Sequence, residues 1–177
     1  MSILRSSRPD DISAITSIYR HHVLHGTGTF ETSPPELEEM ARRRTEVLER
    51  GLPYLVAESE GRVVGYAYCN WFKPRAAYRF SAEDSVYVEA GREGTGIGRA
   101  LLAELLRRAE AAGVRRVIAV IGDSGNQGSI RLHQSAGFQP AGTLVSCGWK
   151  FDRWLDVVMM QRALGLGDAA APREMQA

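Results

Sequence analysis

Apolar positions along this chain switch between a repeat near 3.6 residues and a repeat of two, and each switch marks a change of element. Ile3 and Leu4 begin a short strand. Pro9, Asp10 and Asp11 open a helix in which Ile12, Ile15, Ile18 and Tyr19 share one face. The stretch from Gly26 to Thr29 breaks that helix. Ser33-Pro34-Pro35-Glu36 has capping-box spacing and predicts a second helix, with Leu37, Met40, Val47 and Leu48 as its apolar positions. Tyr54 to Ser59 and Val63 to Trp71 read as a hairpin around Glu60-Gly61. A basic and aromatic loop, Lys73 to Phe80, then leads into a strand ending at Val86, Tyr87 and Val88.

The helical repeat returns at Ile97, runs through Leu101, Leu105 and Ala109 to position 112, and stops at Gly113. Arg116 to Ile121 is a strand of the buried type. Asp123 to Gly128 is rich in turn formers, and Asn126 to Ser135 predicts a short helix. Closing strands are expected near 142–151 and 154–163, and the small, polar stretch from Gly165 is expected to fray. One strand, two helices, three strands and then αβαββ is a mixed α/β order, not a regular βαβ alternation. With 177 residues and no linker, the pattern predicts one domain over 1–164 and a flexible tail over 165–177.

Charge narrows the partners. Twenty-two basic residues against 21 acidic ones leave a formal charge of +1, which gives no basic face for nucleic acid or an anionic membrane. No apolar run reaches 18 residues and the N-terminus has no signal-peptide core, so a soluble cytoplasmic protein is expected. The two cysteines, Cys69 and Cys147, suit a reduced protein in which both act as small core hydrophobes. His21 and His25 fall on one helix face beside His22. Nothing at zinc spacing completes a site, so solvated helix histidines and no metal are expected.

The strongest chemical signal lies between strand and helix. Glycines at 91, 94, 96 and 98 precede a helix whose first N–H groups are free to bind an anion. A dinucleotide fingerprint needs glycine at 99, where this chain has Arg, and a P-loop needs a closing Gly-Lys-Ser/Thr, which is missing. A merely flexible loop explains three alternating glycines poorly, since each costs chain entropy.

Residues 93 to 98, together with Asn126-x-x-Ser129-x-x-Leu132-His133-x-x-x-Gly137-Phe138, resemble motifs A and B of the GNAT acetyltransferases. Thr29-Phe30-Glu31-Thr32, Ala82-Glu83-Asp84-Ser85-Val86-Tyr87-Val88, Ile130-Arg131-Leu132-His133 and Gly148-Trp149-Lys150-Phe151-x-x-Trp154-x-Asp156 resemble the phosphinothricin and methionine sulfoximine acetyltransferase subfamily. The similarity spans residues 2–164. It implies a mixed, mostly antiparallel sheet of about seven strands with helices on both faces. It also implies acetyl-CoA as co-substrate, with pyrophosphate on the loop and pantetheine between splayed strands, and a homodimer. Cofactor contacts then fall on Tyr87 and Val88, on Gly94, Thr95, Gly96, Ile97, Gly98, Arg99 and Ala100, and on Asn126 and Ser129. Where the family usually has Gln or Arg, this loop has Glu93, whose charge opposes a diphosphate by about 0.5–1 kcal/mol. Arg92 and Arg99 flank it.

Acetyl transfer to an amine needs a neutral nucleophile, so a positioned carboxylate must take a proton. Glu83 matches the subfamily's proposed general base. His133 occupies the place where many of these enzymes have a tyrosine thought to protonate the departing thiolate, and an imidazole is able to do the same. A backbone N–H near Val88 is expected to polarise the thioester carbonyl. Arg75, with Tyr78 and Arg79, suits capture of a carboxylate or phosphinate on an amino-acid substrate. Thr29 and Phe30 match a segment that closes over substrate, and Ser85 and Val86 complete the substrate set. Trp149 and Trp154 are read as core or dimer-interface residues. The resemblance thus implies N-acetylation of a small amino acid or analogue such as phosphinothricin, methionine sulfoximine or methionine sulfone. Acetylation of another amine and an acetyl-CoA sensor without turnover are the alternatives.

Overall fold

A computed structural model describes residues 2–172. Seven strands, β1 (Ile3–Ser6), β2 (Tyr54–Ser59), β3 (Arg62–Trp71), β4 (Ser81–Val88), β5 (Arg116–Gly122), β6 (Gln139–Lys150) and β7 (Arg153–Ala163), form one sheet in the order β1-β2-β3-β4-β5-β7-β6. All neighbours are antiparallel except β4 and β5. Helices α1 (Ile12–His25), α2 (Leu37–Glu49), α3 (Ile97–Ala111) and α4 (Gln127–Ser135) cover it.

Side-chain alternation settles which helix lies on which face. A Cβ on Gly65 would meet Leu101 and Ile97 of α3 at 3.1 and 3.2 Å. The next residue, Tyr66, stacks on Tyr87, which in turn meets the Tyr19 ring of α1 at 5.1 Å. Thus α1 and α3 lie on opposite faces, as expected for a mixed fold. The α3 side buries Leu101, Leu102 and Leu105 completely, and the α1 side buries Ile15, Val23 and Tyr66.

The parallel pair makes the opening. β4 and β5 pair only from Ser81↔Arg116 to Asp84↔Ala119, although both strands continue, to Val88 and Gly122. Beyond Asp84 the ladder ends and a gap begins. Residues 83 to 88 therefore line both sides of a slot, with Glu83, Ser85 and Tyr87 toward α1 and Asp84, Val86 and Val88 toward α3 and α4.

Two local expectations change. The second helix begins at Leu37 with Glu36 as its N-cap and no side-chain cap, so the Ser33 box does not form. Pro34 and Pro35 keep the chain extended up to the cap. In the stretch after Gly165, Arg115 donates to the carbonyls of Gly167 and Ala170 at 2.8 and 3.1 Å. Residues 173–177 of the expected tail lie outside the described residues. Of the cysteines, Cys69 is buried and Cys147 is exposed, so only the first is a core residue.

Candidate active site

The slot opens into a cleft of 1520 Å³ that reaches the glycine loop on one side and the Gly26–Phe30 loop on the other. The anion cradle is built by backbone geometry. Gly94 and Gly96 have φ of +75° and +89°, and an added Cβ at either would meet no atom within 4 Å. The space is open, and only a residue tolerant of positive φ keeps the turn. Gly96 is the N-cap of α3, and the first helical bond runs from Ala100 N–H to its carbonyl. The N–H groups of Ile97, Gly98 and Arg99 therefore have no helical acceptor, and Gly98 and Arg99 line the cleft. Glu93 does not thrust its charge into the cradle alone: its carboxylate accepts the Gly91 N–H at 2.8 Å. Thr95 Oγ1 donates to the Arg92 carbonyl at 2.6 Å, and Arg92 pairs with Glu89 at 3.0 Å. Asn126 caps α4 by accepting the Ser129 N–H at 3.2 Å.

Glu83 lies on the α1 side, opposite Asn70 on β3 and Ile118 on β5. Burial raises its carboxyl from the usual range to about 7; the neighbouring Asp84 adds to this and Lys73 opposes it. At neutral pH it divides between acid and base. On the other face, Asp84 is buried and hydrogen-bonds His133 Nε2 at 2.9 Å, while His133 Nδ1 meets the Ser129 carbonyl at 2.8 Å. Both ring nitrogens of His133 are thus engaged within the protein.

The loop that forms the far wall is fastened from two sides. Lys150 is only 4% exposed and donates to the carbonyls of Gly26 and Thr29, both at 2.8 Å. The Phe30 ring lies on Gly148, where a Cβ would fall 2.3 Å from it. A Cβ on Gly122 would fall 2.1 Å from the Thr27 carbonyl oxygen. From the other side Tyr19 Oη hydrogen-bonds Thr29 and Glu31, both at 2.9 Å, and Arg43 pairs with Glu31 at 2.6 Å.

Most expected residues meet here. Phe30, Glu83, Ser85, Val86, Tyr87 and Val88 line the cleft, with Gly94, Thr95, Gly96, Gly98, Arg99, Asn126, Ser129 and His133. Ile97 and Ala100 do not line it, and Ile97 instead packs into the core. Arg75, Tyr78 and Arg79 are exposed on a 3-10 turn over Ala76–Tyr78 and do not line the cleft. Arg79 stacks over Phe80, 4.5 Å from the ring centroid. His22 is not a solvated histidine. It is half-buried, its Nε2–H donates to the Val88 carbonyl at 2.8 Å, and burial lowers its pKa. Trp149 and Trp154 are 54% and 61% exposed, so neither belongs to the core.

Sequence reasoning missed Asp84, Lys150, Gly122 and Gly148. Asp84, Gly148 and Lys150 lie inside stretches that carry the family resemblance, but the residues themselves had no role assigned. Among the described residues no group of three or more His, Cys, Asp or Glu forms a metal site, and no helix is long and apolar enough to cross a membrane.

Comparison with known proteins agrees with this geometry. The family model described as Acetyltransferase (GNAT) family matches residues 15–138. The phosphinothricin N-acetyltransferase of Alcaligenes faecalis is 52% identical over 169 residues, covering 96% of this chain and 86% of that protein. The L-methionine sulfoximine/L-methionine sulfone acetyltransferase of Salmonella typhimurium is 37% identical over 169 residues, covering 96% and 97%. The crystal structure of a phosphinothricin acetyltransferase from Sinorhizobium meliloti in complex with acetyl-CoA superposes with a TM-score of 0.95 at 46% identity, covering 98% of this chain and 94% of that one.

Proposed function

The chain belongs to the GNAT acetyltransferase family, and on that premise we propose that it transfers acetyl from acetyl-CoA to the amino group of a small amino acid or analogue. Relatives named for phosphinothricin and for methionine sulfoximine or sulfone give the substrate class. The observation that carries the mechanism is the split of β4. Glu83 faces one side of the slot, while the anion cradle of α3 opens on the other. The two substrates then approach from opposite faces and meet in the gap.

The cradle fits a diphosphate: open glycines, three helical N–H groups without helical acceptors, and Asn126 and Ser129 beside them. Acetyl-CoA supplies the activated acyl group. Glu83 accepts a proton from the substrate ammonium and passes it to solvent, and the freed amine attacks the thioester carbon within the ternary complex. A carboxyl near 7 suits this task, because it is strong enough as a base and still about half ionised at neutral pH. Val88, whose carbonyl is fixed by His22, sets the backbone orientation at the strand end where the carbonyl oxygen is polarised.

Arg75 is the residue we assign to the acid group of the substrate. It stands two residues after Lys73, which is already close enough to oppose the rise at Glu83. We propose also that two copies pair through the outer face of β6 and β7, where Leu144, Val145, Trp149, Phe151 and Trp154 are large, apolar and exposed. Analytical ultracentrifugation that finds a monomer at micromolar concentration would remove that pairing. The exposed, unpaired Cys147 fits a reducing, cytoplasmic compartment.

Thiol release from acetyl-CoA tests the activity against phosphinothricin, methionine sulfoximine, methionine sulfone, spermidine and a peptide N-terminus. Turnover is expected with the first three. Turnover confined to spermidine or the peptide would reassign the substrate class, and tight acetyl-CoA binding without release would sink the enzyme.

A further inference from the structure

His133 and Asp84 hold more information than a contact. His133 is 5% exposed, and Phe138 stands edge-on to its ring at 5.0 Å. Its Nδ1 lies 2.8 Å from the Ser129 carbonyl oxygen. That oxygen only accepts, so Nδ1 carries a hydrogen. Nε2 lies 2.9 Å from Asp84 Oδ2. A neutral imidazole protonated on Nδ1 would point a lone pair at a carboxylate, and two bare acceptors do not rest at that distance. One further proton therefore lies between Nε2 and Oδ2.

Asp84 has nothing else to compensate it. It is 7% exposed, and its Oδ1 has no hydrogen-bond partner among the described residues. A buried carboxylate is stable only when paired. The titratable groups set against the pair are few. From β3 the Cys69 thiol lies across the ladder from Asp84, and burial keeps it protonated. From β4 itself Glu83 points to the other face. From α4 and the turn after it come only Ser129 and the apolar Phe138. Burial by itself would depress the His133 pKa, but Asp84 and the Ser129 carbonyl outweigh it and the net direction is upward.

We infer that Asp84 is a positioning residue that holds His133 as an imidazolium at the apex of the cleft, and that this pairing withdraws His133 from proton transfer. Losing the Nε2 proton would leave two acceptors face to face, and losing the Nδ1 proton would break the bond to Ser129. The pair instead ties α4, which carries Asn126 and Ser129, to Asp84, the last β4 residue paired with β5. It fixes the vertex from which the slot widens. The proton that ends on sulfur then comes from the attacking nitrogen. Nitrogen forms its bond to the acyl carbon, the carbon–sulfur bond breaks, one nitrogen proton goes to Glu83 and the next to the thiolate. This account of proton flow rests on the acetyl-transfer reading above, whereas the protonation state of His133 does not.

Nitrogen-15 NMR of the intact protein, labelled at histidine and titrated from pH 5.5 to 9, tests the state directly. His133 should lose its second proton at a higher pH than a free imidazole, whose pKa is near 6.5. A His133 that titrates with or below the free imidazole would overturn the inference, and this arm needs no variant. In Asp84→Asn the second proton should be lost within the titrated range, leaving the Nδ1–H form. A ring still doubly protonated throughout would show that Asp84 is not its cause.

Kinetics of His133→Gln supply the other arm. The acetyl-CoA KM should rise about tenfold with kcat reduced by less than tenfold, and the pH–rate limbs should stay where they are. A fall in kcat of about 10²-fold or more at unchanged KM, or loss of one limb, would restore His133 as the proton donor. A failure of the Glu83 reading shows elsewhere, as an unchanged rate in Glu83→Gln, and leaves the His133 titration unaffected.

Discussion

Replacing Glu83 with Gln should make the protein a poor enzyme and a more stable one, with both effects governed by pH. Burial moves the carboxyl from near 4.5 in the unfolded chain to about 7 in the fold. Because the folded value is the higher one, the folded state prefers the protonated form. Stability is complete below pH 4.5 and is lost as pH rises through 7. At about 1.4 kcal/mol per tenfold, the full loss comes to about 3.5 kcal/mol, reached well above pH 7. Gln keeps the shape and cannot ionise. Glu83→Gln should therefore match the parent at pH 5 and exceed it at pH 8 by up to ~3 kcal/mol, or ~5–10 °C in Tm for a chain of this size. The kinetic signature is separate. In the parent, kcat/KM should climb with pH and level off near 7, where Glu83 becomes a base. In Glu83→Gln it should be lower by about 10²-fold or more and should keep climbing toward the pKa of the substrate amine, about 8 or above. Differential scanning calorimetry and initial rates of thiol release over pH 5–9 measure both. A Tm gap that is the same at pH 5 and 8, or a variant with full turnover from pH 6 to 9, would refute the reasoning.

Three other outcomes follow from the cradle and the loop. Gly96→Ala places a side chain at φ +89° with no steric neighbour, so only the backbone cost of about 1–2 kcal/mol acts; calorimetric titration should show acetyl-CoA binding weakened roughly tenfold and amine KM unchanged. Glu93→Gln removes a charge beside the cradle while keeping an acceptor for the Gly91 N–H; acetyl-CoA should bind about 2–5-fold tighter at low salt, with the gain fading as ionic strength rises. Gly148→Ala drives a Cβ to within 2.3 Å of the Phe30 ring; overpacking should cost about 1–3 kcal/mol in chemical denaturation and raise the amine KM more than the acetyl-CoA KM.

Much of the frame was legible because it repeats. The apolar runs on either side of Glu60-Gly61 and the 3.6 repeat from Ile97 are local properties of the chain, and β2, β3 and α3 form where they lie. The glycine turn was legible too, since Gly94 and Gly96 take positive φ directly before α3. The expected capping feature failed for a specific reason: consecutive prolines overrode the Ser33 spacing, and α2 starts at Leu37 with Glu36 as its N-cap. The hidden parts of the site are contacts across long sequence separations. Nothing near Lys150 announces that its ammonium serves carbonyls at positions 26 and 29, and nothing near Gly122 or Gly148 announces the loop that rests on them.

The pair Glu83-Asp84 shows why adjacency in sequence misleads and alternation corrects it. Two neighbouring carboxyl groups suggest one acidic site, yet strand geometry sends them to opposite faces of the sheet, into different chemistry. Glu83 meets burial without a hydrogen-bonded cation, so its proton affinity rises to the range a base requires. Asp84 meets an imidazole whose other nitrogen is already spoken for, so it becomes half of a fixed pair. The parallel ladder ends just after both, at Asp84↔Ala119. Moving the end of that ladder by one residue would exchange the faces on which the slot begins. Alternation along β4 thus determines which carboxylate lies on the α1 side and which one meets His133.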